Sequence, residues 1–531
     1  MKFINKSLFA KEKSKLIASI HGYGRQPLKY FLITSLVLIT SIKLSLIGNG
    51  FMALIDESVY YCSGKALQDV KNLMIVDAID AVFSAGHRPA DAIIKTIPHA
   101  LQFISADIFN LQWYESKNSY PLFIYNFVVF CLILIVHFKF SKRILKDKYL
   151  ALISVIFFSS MTNSYLYLRH AQPYDLSLLI FYFITYESVV FSDNDRLSFK
   201  KSFLLGAFSF FGYLVYPGYF PLYIISLFFF FFYKLTKEIV FKKAYNSCVY
   251  VLGGLFCLII FESISRIGGH SYIREAIQFS STITQGDFEQ SFSFIIKYLF
   301  EVEGVTGIIM LLGLALFCFI IIYQTLNKTH KQDSLLVVIG IAVIGVFLVY
   351  ASVGYFMHKM IFYGRLLHMY FPFFCIFTLF SLDHFINTIK KRQLVFFFIT
   401  IVFVTNFGVN FIHYKSFAYP RDIFWKYSNA NKLQSIDNIC ESDYGWSVIP
   451  TNEEKIRSPK IIIVNGCYVY PFTDISGYRL FIPPDGYYLL ESKSHFINFK
   501  AYQYEGFSII ERHNIDKLSL QIKIFSKGDM Q

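Results

Sequence analysis

The stretch YPLFIYNFVVFCLILIVHFKFSKRILKDK, Tyr120–Lys148, decides the fold. From Tyr120 to Phe138 it holds no Asp, Glu, Lys or Arg, a length that crosses a hydrocarbon core as a helix. Lys139, Lys142, Arg143, Lys146 and Lys148 then follow, with Asp147 as the one acid among them. An apolar run that ends in a short basic loop is a membrane span emerging on the cytoplasmic side.

The pattern repeats along the chain. Apolar runs lie near residues 28–48, 120–138, 149–168, 174–192, 202–216, 219–233, 245–264, 304–323, 334–351, 366–384 and 394–412. Alternate loops are basic: DNDRLSFKK, KLTKEIVFKK, LNKTHKQD and NTIKKRQ, together with the tail before residue 28. The sequence therefore predicts an all-α polytopic membrane protein of about eleven helices with a cytoplasmic N-terminus. Residues 1–27 hold no apolar core of a cleavable signal, so the first run reads as an uncleaved anchor. Residues 28–412 form the membrane domain and 413–531 a tail outside the cytoplasm. The shortest pair of runs, on either side of YPGYFP, also reads as one broken helix.

Composition agrees. Of 531 residues 55% are hydrophobic and only 16% charged, against about 25% charged in soluble domains. The formal net charge of +14 resides in the basic loops and tail, so no nucleic-acid partner is expected. The partner is the lipid bilayer.

The first outer loop, 49–119, is more than a linker. Leu67, Val70, Met74, Ala78, Ile79 and Val82 recur at helical spacing, as do Ile93, Ile97, Leu101, Ile104 and Ile108. Lys and Asp occupy the opposite faces. Two amphipathic helices are expected, lying on the membrane surface, packed on the bundle, or both. The loop 265–303 reads as a lid or as a plain connector. The tail is polar, with turns at Asn465-Gly466 and PPDG (483–486) and β-type runs KIIIVNGCYVY and LSLQIKIFSK, a small β-rich domain. Cys440 and Cys467 lie there and are a candidate disulfide in an oxidising compartment. Cys131, Cys248, Cys257, Cys318 and Cys375 fall in or near apolar runs.

Costly polar residues collect on the outer side. Asp56 and Glu57 follow the first run, with Tyr60 and Tyr61 behind them. His87 and Arg88 separate the two amphipathic segments. Arg169 stands in YLRHAQPYD with Tyr174, and Tyr363 and Arg365 stand in FYGRLLHMYFP. A guanidinium offers a phosphate two parallel hydrogen bonds and stabilises charge growing on a phosphate leaving group. A carboxylate beside it can take the proton of an attacking hydroxyl, and a like-charged neighbour raises one of the two carboxyl pKa values toward that task. Tyrosines suit a sugar ring. The set fits a lipid-linked phosphosugar, whose phosphate lies at headgroup depth.

At these residues the chain resembles the GT-C membrane glycosyltransferases, in the protein O-mannosyltransferase and aminoarabinose-transferase-like branch. Asp56-Glu57 with Tyr60 and Tyr61 is similar to that family's Asp-Glu pair and Tyr after the first span. Gly86-His87-Arg88-Pro89 partly matches its His/Lys-Pro-Pro segment. Arg169-His170-Ala171-Gln172-Pro173-Tyr174 resembles its Arg-x-x-Pro-Tyr with one residue added, and Arg365 to Pro372 resembles Arg-Tyr-Leu-x-x-x-x-Pro with Leu366 in place of Tyr.

The resemblance implies a polyprenyl-phosphate-linked sugar donor and inverting displacement on the periplasmic face of a bacterial inner membrane. The acceptor would be a hydroxyl of a cell-envelope glycan such as lipopolysaccharide or O-antigen, of a lipid, or of a protein. Asp56 would be the base and Glu57 would position the acceptor or a cation. Arg365, Arg169, Arg88 and His87 would hold the phosphate, and Tyr60, Tyr61, Tyr174 and Tyr363 the sugar or acceptor. The family admits a divalent metal, but His87, His170, His270 and His358 show no ligand spacing, so no metal ligand is assigned. A flippase of lipid-linked sugars and an O-antigen polymerase or ligase are the alternatives. The first calls for internal repeats and midplane charges, the second for arginines in one large late loop, and neither feature stands out.

Overall fold

The computed structural model describes residues 26–47, 58–84, 88–109, 120–193, 198–235, 240–283, 292–326, 334–357, 364–386, 392–416, 461–465, 486–496, 500–505 and 519–527. Asp56, Glu57, His87, Tyr363, Cys440 and Cys467, and the side chain of Tyr61, lie outside the described residues.

The helices in chain order are α1 (Gln26–Leu44), α2 (Ser58–Lys71), α3 (Ile75–Phe83), α4 (Pro89–Phe109), α5 (Tyr120–Leu145), α6 (Lys148–Ser160), α7 (Tyr174–Asp193), α8 (Phe199–Val215) and α9 (Phe220–Phe232). After them come α10 (Val240–Ile267), α11 (Tyr272–Ile283), α12 (Phe294–Glu301), α13 (Gly304–Leu326), α14 (Ser334–Phe356), α15 (Gly364–His368), α16 (Phe371–Ile386) and α17 (Arg392–Ser416). Among the described residues seven helices, α1, α5, α7, α10, α13, α14 and α17, are long and apolar enough to cross a membrane. The chain is an all-α polytopic membrane protein.

Every apolar run of the sequence is helical, but four are short. Helices α6, α8, α9 and α16 hold 13, 17, 13 and 16 residues. At about 1.5 Å per residue they stop short of a hydrocarbon core of about 30 Å. The run 149–168 shows why. Asp147 caps the start of α6, accepting from the backbone N–H of Tyr149 at 2.7 Å. The helix ends at Met161 because the Glu303 carboxylate takes the next two donors, the N–H groups of Thr162 (2.7 Å) and Asn163 (2.9 Å). Beyond it two 3-10 turns, Thr162–Ser164 and Leu166–Arg169, bend away by 81°. At YPGYFP the two runs form separate helices, α8 and α9, divided by extended Tyr216 and the 3-10 turn Pro217–Tyr219.

Charges gather at the two ends of the bundle. At one end Asp193 takes Arg143 and Lys234 (2.9 Å), and Arg392 pairs with Asp383 (2.6 Å) and Asp147 (3.6 Å). At the other end lie Arg88, Arg169 and Arg365. Packing between α8 and α10 is close because glycines face backbone: a Cβ on Gly206 would stand 1.8 Å from the Tyr250 carbonyl oxygen, and one on Gly253 2.0 Å from that of Phe203. Lys43 does not reach out to water. It is wholly buried, donating to Ser164 Oγ (3.0 Å) with its ammonium 4.2 Å from the Phe130 ring centroid.

The first amphipathic segment is two helices where the periodicity suggested one. Leu73 adopts a left-handed conformation (φ 61°), and the Met74 N–H returns to the Asp69 carbonyl at 2.9 Å, closing α2 before α3 begins. Helix α4 shows its polar and apolar faces plainly. Asp91, Lys95, His99 and Gln102 are buried, while Ile97 (59% exposed), Leu101, Ile104 and Ile108 face outward. The polar stripe of α4 therefore packs against protein, as expected of a helix docked on the bundle, and its apolar stripe is left outward, the pattern of a helix at a lipid surface.

In the tail, β1 (Ile461–Asn465), β2 (Tyr487–Phe496) and β3 (Ser519–Lys527) form an antiparallel sheet in the order β1-β3-β2. β1 and β3 are the runs the sequence marked; β2 follows the PPDG turn, with Gly486 at φ 87°. Helix α18 (Lys500–Glu505) docks on α12, its Tyr504 ring 5.3 Å from that of Tyr298.

Candidate functional site

Four elements converge at the end where the arginines lie. Pro173 closes the loop from Arg169, and Tyr174 opens α7. Tyr216 and Tyr219 come from the α8–α9 turn, Arg88 precedes α4, and Arg365 lies in α15. The rings meet edge to face: Tyr174 to Tyr216 at 4.8 Å, Tyr216 to Tyr219 at 5.1 Å, and Tyr167 to Tyr174 at 4.8 Å. Guanidinium groups cover both ends of this cluster. Arg88 lies 5.0 Å from the Tyr216 centroid and Arg365 5.6 Å from that of Tyr174. Arg365 also donates to the Tyr174 hydroxyl, and Tyr219 donates to the Arg365 carbonyl at 3.0 Å.

Below the cluster a buried polar network fixes α15 against α7. His368 follows Arg365 by three residues, and its Nε2 meets Asp175 Oδ1 at 2.8 Å while Nδ1 meets Asn163 Oδ1 at 2.6 Å. The Asn163 amide nitrogen donates to the Tyr298 hydroxyl (2.7 Å) and to the Gly364 carbonyl (3.2 Å). A carbonyl cannot donate, so it fixes that amide's orientation, and oxygen must face His368. Both ring nitrogens of His368 then face oxygens, one from Asn163 and one from Asp175.

The Arg169–Tyr174 loop is held from two sides. Asn126 of α5 donates to the His170 carbonyl at 2.6 Å. Lys95 of α4 donates to the Ala171 carbonyl and to Asp91 Oδ2, both at 2.7 Å, with Lys95 1% exposed. Arg169 ends its 3-10 turn and is buried. Gln172 is buried too, and neither end of its amide finds a partner among the described residues. A buried amide with both ends unspent has donor and acceptor capacity for a ligand.

Of the residues expected from sequence, Arg365, Arg88 and Tyr174 come together here, and Arg169 lies on the loop that leads into Tyr174. Tyr60 is packed between α2 and α4, its ring stacked 3.9 Å from His99 and its hydroxyl donating to Gln102 Oε1 at 2.6 Å. Burial pushes His99 down to about 3, so that ring is neutral. Sequence reading missed Tyr216, Tyr219, Lys95, Asn163, Asp175 and His368. The signal for Asn163 and His368 was present, as polar residues inside or beside apolar runs. Among the described residues no three His, Cys, Asp or Glu side chains converge as a metal site. The grooves lined by Leu36 and Lys139, by Phe210 and Tyr272, and by Phe228 and Cys248 share no residue with this cluster.

No family model and no curated protein matches the chain. Among solved structures, the chain is similar to an oligosaccharyltransferase of Archaeoglobus fulgidus in complex with zinc and sulfate, at 8% identity and a TM-score of 0.39. The similarity covers 71% of this chain and 52% of that one, so the chain spans about half the length of that structure.

Proposed function

We propose that this protein is a membrane glycosyltransferase that moves a sugar from a polyprenyl-phosphate donor to a hydroxyl of a cell-envelope glycan, lipid or protein. In this reading the site faces the periplasm of a bacterial inner membrane and the N-terminus is cytoplasmic. The observation that carries the proposal is the chain of contacts Arg88–Tyr216–Tyr174–Arg365, two cations set against one tyrosine cluster at the end of the bundle away from the basic loops.

In the reaction Arg365, with Arg88 and Arg169, holds the donor phosphate. The acceptor oxygen attacks the anomeric carbon and the bond from that carbon to the phosphate oxygen breaks, with inversion. The negative charge that grows on the leaving phosphate is met by guanidinium groups already in place. Asp56 takes the acceptor proton, and Glu57 orients the acceptor. Tyr174 packs against the donor, and Gln172 supplies hydrogen bonds to its polar groups.

The test is Asp56→Asn, in membranes given a polyprenyl-phosphate sugar and a hydroxyl acceptor. The expected result is normal insertion with transfer lost. Normal turnover by the variant would remove Asp56 as the base.

A further inference from the structure

The segment Tyr120–Lys148 has a second feature, at the opposite end of the bundle from the arginine cluster. Ile135, Phe138, Lys139, Lys142 and Arg143 lie at i, i+3, i+4, i+7 and i+8 on α5 and form one stripe. Within one turn this stripe changes from apolar to cationic. It forms one wall of an open groove of about 720 Å³, lined on its other sides by Leu36 of α1, Leu152 and Val155 of α6 and Tyr186 of α7. Most of the lining is hydrocarbon, and its basic side chains come from the last two turns of α5.

We infer that this groove binds an anionic phospholipid, acyl chain along the walls and phosphate at Lys139 and Lys142. Charge decides the occupant. Lys139 and Lys142 are exposed, and neither makes an ion pair among the described residues. Two carboxylates are near. Asp193 is taken up by Arg143, Lys234 and the Tyr233 hydroxyl, and Glu187 feels both Lys139 and Lys201. The mouth remains cationic after both are counted. A zwitterionic headgroup would bring its own ammonium against these lysines, whereas an anionic one matches them. Free phosphate would leave the apolar walls uncovered. The groove shares no lining residue with the arginine cluster, so the inference stands apart from the proposed transfer reaction.

The test uses the full chain purified in detergent and titrated with phosphatidylglycerol or phosphatidylcholine, bound lipid being read by native mass spectrometry. Phosphatidylglycerol should be retained preferentially. Lys139→Gln with Lys142→Gln should weaken that retention by at least about ten-fold. Lys200→Gln with Lys242→Gln, which removes the same charge at the same end outside the groove, should change it less than about two-fold. Equal retention of the two lipids, equal loss in both double variants, or displacement by inorganic phosphate alone would each overturn the inference. A second measurement leaves the cations in place: Ile135→Trp should be quenched more by brominated-chain phosphatidylglycerol than by the brominated phosphatidylcholine. Equal quenching contradicts the assignment.

Discussion

Asp175 and His368, 193 positions apart in sequence, meet at 2.8 Å inside the bundle. Each is one step from the proposed phosphate site: Asp175 follows Tyr174, and His368 lies one helical turn beyond Arg365. In the proposed reaction the pair would act by positioning, setting where Arg365 meets Tyr174, with no contact to substrate required of it.

His368→Ala should leave the protein inserted but lower transfer by about 100-fold, the scale expected when a reacting group is misplaced by about 1 Å. A positioning role predicts that the loss appears in both donor KM and kcat. It also predicts that the variant loses its sensitivity to a further Arg365→Ala change. Independent, multiplicative losses in the double variant would contradict that coupling.

A buried ion pair offers a cleaner test of what holds the Arg169–Tyr174 loop. Lys95→Met strands the Asp91 carboxylate and frees the Ala171 carbonyl, and should cost about 3–5 kcal/mol in unfolding free energy. Lys95→Met combined with Asp91→Leu should recover much of that stability, because an apolar pair carries no stranded charge. Transfer should stay low in both variants, since neither restores the bond to Ala171. Full activity in the stable double variant would show that the loop needs no tether.

The pH response centres on His270, in the turn after α10. Its Nε2 meets Asp80 of α3 at 2.7 Å and its Nδ1 meets Glu275 of α11 at 2.9 Å. The hydrogen bond to Asp80, followed by the one to Glu275, raises its pKa above 6.5. A raised histidine pKa gives stability that is complete below the unfolded value near 6.5 and is lost as pH rises through the folded value. Hydrogen exchange in α3 and α11 should therefore speed up on the alkaline side of that window. His270→Ala should exchange quickly at every pH; a variant with the native pH profile would rule this clamp out.

Much of the fold was legible because lipid imposes simple rules. Apolar runs such as Tyr120–Phe138 gave the helices. What periodicity could not show was where a distant side chain ends a helix: Glu303 stops α6 from 141 positions away in sequence. The same limit applies at the site. Arg365 and Tyr174 stood out as charge and aromatic at span ends, whereas Asn163, Asp175 and His368 acquire their roles only from each other. In α4 the spacing of the isoleucines gave the helix and its stripe. Whether the stripe faces the bundle or lipid depends on Tyr60, Lys95 and Ala171, which lie in three different segments.

The most direct measurement is the binding of polyprenyl phosphate to the purified full chain and to Arg365→Ala and Arg365→Lys. The account predicts saturable binding by the native protein, a loss of about 100-fold or more in the alanine variant, and only partial recovery with lysine, whose single ammonium cannot reproduce the two-pronged guanidinium contact. Equal affinity in all three proteins would contradict the claim that the cluster around Arg365 and Tyr174 is a phosphate site.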